Sequence, residues 1–305
     1  MKTGFLFPGQ GAQFSGMGKK LFDEFKSVRE VFELASDTLK LNMKKLCFES
    51  SNSELKLTFN AQPSILTVSF AGLTVLKEIL GMYPALSAGH SLGEWTALLS
   101  AGSISFEDAL KCVRKRGEFM QESIPGINPS MAAIIGISSK EVEDVLKNME
   151  GVYPANYNSS TQTVISGKEE AVEEAVEKLK EKKARAVYLN VSAPFHTPFM
   201  KPAEGKMREF LKDITFRDPS IPVLKNIDAE VYKSADEIKD SLARQISSPV
   251  RWTDCMRKFL QMEPEIIIET GPRPVLINFI EGGEEIKKFS VCEPKDIKIL
   301  EREIK

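Results

Sequence analysis

Histidine is almost missing from this chain: His90 and His196 are the only two among 305 residues. With no HExxH pair and no paired cysteines, no zinc constellation can be assembled, and no metal is expected. Cysteine is scarce as well. Cys47, Cys112, Cys255 and Cys292 stand far apart with no CxxC, which argues against a disulfide framework or zinc knuckle and fits a reducing compartment. Neither sign of charge dominates. The 41 Lys+Arg and 43 Asp+Glu leave a formal net charge of -2, so wholesale nucleic-acid binding is not expected. No unbroken apolar run approaches a membrane span. The longest, Ile65 to Leu80, is interrupted by Thr67, Ser69, Gly72, Thr74, Lys77 and Glu78 and reads as a buried helix. The opening MKTGFLFPGQ has too short an apolar run for a signal h-region, so a cytoplasmic chain is expected.

What is present is an α/β rhythm of short strand-like runs alternating with longer helical ones. Thr3 to Phe7 reads as the first strand, followed by a glycine-rich loop, Pro8 to Gly18. Helical periodicity covers about Lys20 to Leu39 and Gln62 to Leu80. Ala85 to Ala88 reads as a buried strand, Leu92 to Ser100 as a helix, and Phe106 to Glu122 as another, ended by Pro125-Gly126. The rhythm then changes. Strands at 131–137, 152–156, 163–166 and 186–191 and helices at 139–149 and 170–182 follow in βαββαβ order, the ferredoxin-like pattern. A capping box is expected from Ser138 to Glu141. This places a small inserted domain at 128–191 within a discontinuous large α/β domain, 1–127 and 192–305. Beyond it, Ala203, Met207, Phe210, Leu211 and Ile214 read as helical, while Ile221 to Leu224 and Glu265 to Glu269 read as strands.

Gly89-His90-Ser91-Leu92-Gly93 matches the GxSxG nucleophile elbow and has a strand before it and a helix after it. The two glycines leave room for a sharp turn that projects the Ser91 hydroxyl. The Leu92 N–H then faces a developing oxyanion at the helix N-terminus. A serine hydroxyl needs a base, and elimination leaves His196, because neighbours in an extended segment point to opposite sides and His90 adjoins Ser91. His196 lies in SAPFHTP, where the insert returns to the large domain. The acid of a triad stays open among Asp213, Asp218, Asp228, Asp240 and Asp254, and a carbonyl can serve in its place. The loop FPGQGAQ at 7–13 fails the GxGxxG test, since Phe14 stands at the third glycine position, and it lacks a P-loop ending. It suits a second backbone oxyanion donor instead.

Together FPGQGAQ (7–13), GHSLGE (89–94), RGEFMQE (116–122), MAAIIG (131–136), VISG (164–167), Phe195-His196 and RQISSPVRW (244–252) make the chain resemble, over nearly its full length, the malonyl-CoA:acyl carrier protein transacylases of bacterial type II fatty acid synthesis. That resemblance implies a hydrolase-like parallel-sheet core carrying the ferredoxin-like insert, with the active site between them. It implies that Ser91 forms a malonyl ester, that His196 is base and then acid, and that the N–H groups of Gln10 and Leu92 form the oxyanion hole. It further implies that Arg116 holds the malonyl carboxylate, that Gln245 orients His196 through its backbone carbonyl, and that His90 lines the acyl pocket. From the sequence alone Arg116 is one member of the run Arg114-Lys115-Arg116, which otherwise reads as a solvated helix face. The expected partners are acyl carrier protein and a coenzyme A thioester, malonyl-CoA being a substrate and no cofactor being required. Neither nucleic acid nor membrane is expected as a partner, and the chain is expected to be a monomer. An acidic carrier calls for a local basic patch, placed at Lys180, Lys182, Lys183 and Arg185. A GxSxG thioesterase or esterase with water as acceptor is the second reading, and a non-catalytic carrier-docking module the third.

Overall fold

The computed structural model describes residues 1–123 and 126–304, so the expected Pro125 terminator lies outside the described residues. The first stretch contains β1 (Thr3–Phe7), α1 (Lys19–Glu24), α2 (Lys26–Leu39), α3 (Met43–Phe48), α4 (Asn52–Lys56), α5 (Thr58–Leu80), β2 (Leu86–Gly89), α6 (Gly93–Ser100) and α7 (Phe106–Glu122). There follow β3 (Pro129–Ile135), α8 (Ser139–Leu146), β4 (Val152–Ser159), β5 (Gln162–Lys168), α9 (Glu169–Glu181) and β6 (Arg185–Tyr188). The last stretch holds α10 (Lys201–Phe210), α11 (Ala235–Gln245), α12 (Trp252–Gln261), β7 (Ile266–Thr270), β8 (Lys287–Val291) and α13 (Pro294–Ile304).

These strands form two sheets. One is parallel, in the order β2-β1-β7-β8, and the other antiparallel, in the order β4-β5-β3-β6. In the parallel sheet β1 and β7 are buried along their whole length, as strands covered by helices on both faces must be. The antiparallel sheet alternates instead. Ala132 and Ile134 of β3 pack with Val172, Val176 and Leu179 of α9, while Met131 and Ala133 join the main core. The period-2 pattern therefore seats one face under α8 and α9 and the other against the large core. The Ser138 to Glu141 capping box is present.

Several expectations need correction. The helix read from Lys20 to Leu39 is two helices, because Phe25 is extended (φ -107, ψ 130). The Arg29 guanidinium donates to the carbonyls of Phe22 and Asp23 at 2.9 and 3.1 Å, which answers acceptors left over at the end of α1. The helix read from Gln62 begins at Thr58, with Pro63 inside it. Proline gives no N–H to the carbonyl four residues back, and here that carbonyl, Phe59 O, accepts from Arg114 Nη1 at 2.9 Å. At 23 residues α5 is long and apolar enough to cross a membrane, yet Ile65, Leu66, Ala71, Leu73, Val75 and Leu76 are all buried in the core. Ile221 to Leu224 forms only isolated bridges, Val223 to Ser87 and Leu224 to Val231, beside Pro222, which has no N–H for a ladder. Strand β8 was not read because Lys287 and Lys288 break its apolar pattern; it is a charged edge strand, a device that discourages edge-to-edge pairing.

Candidate active site

Ser91 lies two residues past the end of β2, at the carboxyl end of the parallel strands, where open α/β sheets present ligands. Its φ of 51° is left-handed, a strain characteristic of functional turns. The flanking glycines are a steric necessity. A Cβ on Gly89 would come within 1.9 Å of the Gly93 backbone, and one on Gly93 within 2.0 Å of Phe7 O. The turn is held from outside the local sequence. The Ser91 N–H donates to Asn226 Oδ1 at 2.6 Å, and Asn226 Nδ2 donates to Gly89 O at 2.8 Å, so one side-chain amide clamps both ends of the elbow.

His196 Nε2 is 2.8 Å from Ser91 Oγ, and its Nδ1 is 2.9 Å from Gln245 O. A carbonyl only accepts, so Nδ1 carries the proton and Nε2 is free to accept from the serine. That is the tautomer a general base requires. Burial, and then the nearby charge of Arg116, lower the His196 pKa to about 3, so the ring is neutral at pH 7. The group beside Nδ1 is a carbonyl, and none of the five aspartates is bonded to it. Asp218 and Asp228 accept from backbone N–H groups, Asp240 pairs with Arg208, and Asp254 pairs with Arg257; no hydrogen bond joins Asp213 to His196.

Arg116 departs furthest from a plain reading of the sequence. Lys115 faces outward to Glu118, but its neighbour Arg116 is 1% exposed. Its Nη2 donates to Ser91 Oγ at 3.1 Å and to Gln245 Oε1 at 2.9 Å, and its Nη1 donates to Gln62 Oε1 at 2.8 Å. Burial lowers its pKa to about 10, which leaves it charged. Gln245 is thus two partners in one: its backbone orients His196, and its side chain holds Arg116.

A cleft of about 590 Å³ opens over these groups, and Gln10, His90, Ser91, Leu92, Arg116 and His196 all line it. Gln245 sits behind them, fully buried. Among the described residues the N–H groups of Gln10 and Leu92 have no protein acceptor, which leaves two donors for a ligand oxygen. The His90 Nε2 lies 3.0 Å from Asn158 Oδ1 of β4, and its ring packs against Trp252. Burial lowers its pKa to about 4. Glu94, Asn226, Gln62 and Asn158 were not singled out from sequence. Glu94 alone left a trace, as the carboxylate that closes GHSLGE and precedes the largely apolar WTALLS. No group of three or more His, Cys, Asp or Glu among the described residues is arranged to hold a metal ion.

A buried serine and histidine, free backbone donors and a guanidinium aimed at the serine hydroxyl fit the class of acyl-transfer enzymes. The acyl transferase domain family matches residues 4–294. Over 310 aligned residues the chain is 42% identical to the malonyl CoA-acyl carrier protein transacylase of Bacillus subtilis strain 168, covering 100% of this chain and 98% of that one. It is 41% identical to that of Escherichia coli K12 over 89% of each. The crystal structure of acyl-carrier-protein S-malonyltransferase from Burkholderia pseudomallei 1710b superposes with a TM-score of 0.94 at 40% identity, covering 99% of this chain and 100% of that one. A malonyl-transacylase solved in complex with a type II PKS acyl-carrier protein gives 0.95 at 36% identity, with coverage of 99% and 100%. The chain belongs to the malonyl CoA-acyl carrier protein transacylase family and is an acyltransferase.

Proposed function

We propose that this enzyme transfers malonyl from malonyl-CoA to the phosphopantetheine thiol of acyl carrier protein through a malonyl ester on Ser91. Ser91 Oγ attacks the thioester carbonyl as His196 Nε2 takes its proton, and the oxyanion forms against the N–H groups of Gln10 and Leu92. The C–S bond then breaks, and His196 returns the proton to the departing coenzyme A sulfur. The carrier thiol runs the same steps in reverse and leaves with the malonyl group. The observation that carries the reading is the buried Arg116, with Nη2 3.1 Å from Ser91 Oγ. A cation so close to the nucleophile suits an acyl group that ends in a carboxylate, and a simple esterase has no use for it. Pairing Arg116 with that carboxylate also removes its repulsion of protonated His196, which makes the base stronger when the correct acyl group is present.

The same reading includes a hydrolase-like core, with 1–127 and 192–305 as one domain and 128–191 as a second. It also places the carrier beside β6. Lys182, Lys183 and Arg185 are exposed there, whereas Lys180 is paired with Glu177 at 2.7 Å. Reversing the charge of those three should raise the KM for carrier protein and leave that for malonyl-CoA alone; equal effects on both would refute the placement.

Intact-mass spectrometry after brief incubation with malonyl-CoA tests the core of the reading. A malonyl increment that disappears in Ser91→Ala and moves to added carrier protein is expected, with transfer falling by about 10⁶-fold in the variant. An adduct discharged only to water would instead identify a thioesterase.

A further inference from the structure

Glu94 is a buried carboxylate that the mechanism above does not use. It sits in the first turn of α6, fully buried. Its Oε2 accepts from Gln245 Nε2 at 2.7 Å and from the Asn226 N–H at 3.0 Å, and its Oε1 accepts from the Tyr232 hydroxyl. Arg116, the buried cation, makes no ion pair among the described residues. What connects the two is the Gln245 amide. Its oxygen faces the guanidinium and its nitrogen faces the carboxylate, so the amide dipole lies between a positive and a negative charge.

With Glu94 ionised, the empty site therefore carries one charge of each sign. On the reading that malonyl occupies Arg116, loading adds a second negative charge to an enclosed site with a single cation. An uncompensated buried charge costs several kcal/mol, and buried groups shed it by changing protonation. We propose that Glu94 is the proton-linked counter-charge of Arg116, taking up a solvent proton when a carboxylate-bearing acyl group is loaded onto Ser91.

The surroundings can accommodate that proton. Protonated Oε1 can donate to the Tyr232 oxygen if the Tyr232 hydroxyl turns to Ser241 Oγ, which is buried beside it and otherwise without a partner. Oε2 keeps both of its donors. The other titratable groups of the neighbourhood fit the task less well. Tyr232 and Cys255 are already protonated, their acidity suppressed by burial and by Glu94 itself. His90 and His196 are both held neutral by burial, and protonating His196 would remove the base. Burial has already raised the Glu94 pKa to about 7, despite the opposing influence of Tyr232, Gln245 and Arg116.

Below its pKa Glu94 already holds the proton and loading is indifferent to pH; above it a proton must be acquired, so malonyl binding weakens as pH rises. The test is proton uptake in weak buffer with a pH indicator, without carrier protein, normalised to the adduct on Ser91 measured by mass spectrometry. At pH 8 the unaltered enzyme should take up nearly one proton per malonyl adduct and none per acetyl adduct, and Glu94→Gln should take up none with either. The KM for malonyl-CoA should rise by up to about tenfold per pH unit above about pH 7 in the unaltered enzyme and stay flat in Glu94→Gln. A malonyl adduct formed with no proton uptake, or uptake that persists in Glu94→Gln, would overturn the proposal while leaving the transacylase reading intact. Failure to form any malonyl adduct would overturn both. Should the variant not fold, the contrast between malonyl and acetyl in the unaltered enzyme still decides.

Discussion

In the parallel sheet β1 and β7 are buried from end to end, whereas β6 of the antiparallel sheet leaves Arg185, Val187 and Tyr188 in solvent. The chemistry is divided along the same line. Ser91 and Leu92 follow a parallel strand, Gln10 follows its neighbour, and Arg116 projects from a helix packed on the same core. The antiparallel sheet contributes wall: Met131, Asn156 and the Asn158 that meets His90. Reacting atoms must be held within fractions of an ångström, and fully buried strands such as β1 and β7 resist displacement better than an exposed one such as β6. A wall has a looser tolerance, so it can be built from a separate sheet with its own small core.

Three substitutions test this division. Arg116→Ala should have the largest effect, lowering kcat/KM for malonyl-CoA by about 10²–10³-fold while acetyl transfer falls much less. Equal losses for the two acyl groups would mean that Arg116 supports the elbow and not the substrate. Asn226→Ala comes next. It unclamps both ends of the Ser91 turn and leaves the Ser91 N–H buried without an acceptor, at about 1–3 kcal/mol of stability. A lowered Tm together with a kcat reduced by roughly 10–100-fold is expected. Asn158→Ala, on the antiparallel side, should change KM by less than about fivefold with kcat near that of the parent, while Tm falls modestly because Asn158 is buried and His90 loses its partner. If Asn158→Ala cost as much kcat as Asn226→Ala, the assignment of chemistry to one sheet and wall to the other would fail.

The sequence revealed the site unevenly, for physical reasons. Ser91 was legible because its turn demands glycines at fixed offsets, and His196 because only two histidines were available. The βαββαβ order of the middle stretch was legible because alternation, a capping box and helical periodicity all agree within a short span. Arg116 and Gln245 were visible only through family resemblance, since helical spacing does not say which side of α7 faces a nucleophile from another element. Asn226 was invisible. It lies 135 residues from Ser91 in a stretch outside helix and strand, and its role comes wholly from tertiary placement. The first turn of the helix starting at Thr58 was missed for a related reason: the guanidinium that satisfies the Phe59 carbonyl, freed by Pro63, comes from 55 residues downstream of Phe59.

That helix also has a life before the fold exists. Emerging from the ribosome, α5 presents an 18-residue window apolar enough for a membrane, while one of its packing partners, β7, lies some 190 residues further along. At about 5–20 residues per second the nascent chain spends roughly 10–40 seconds with that surface incompletely covered. A helix buried in the core of the finished enzyme is thus exposed to mistargeting and aggregation during synthesis. The order in which the chain is made, and not only its final packing, sets how much active protein a cell obtains.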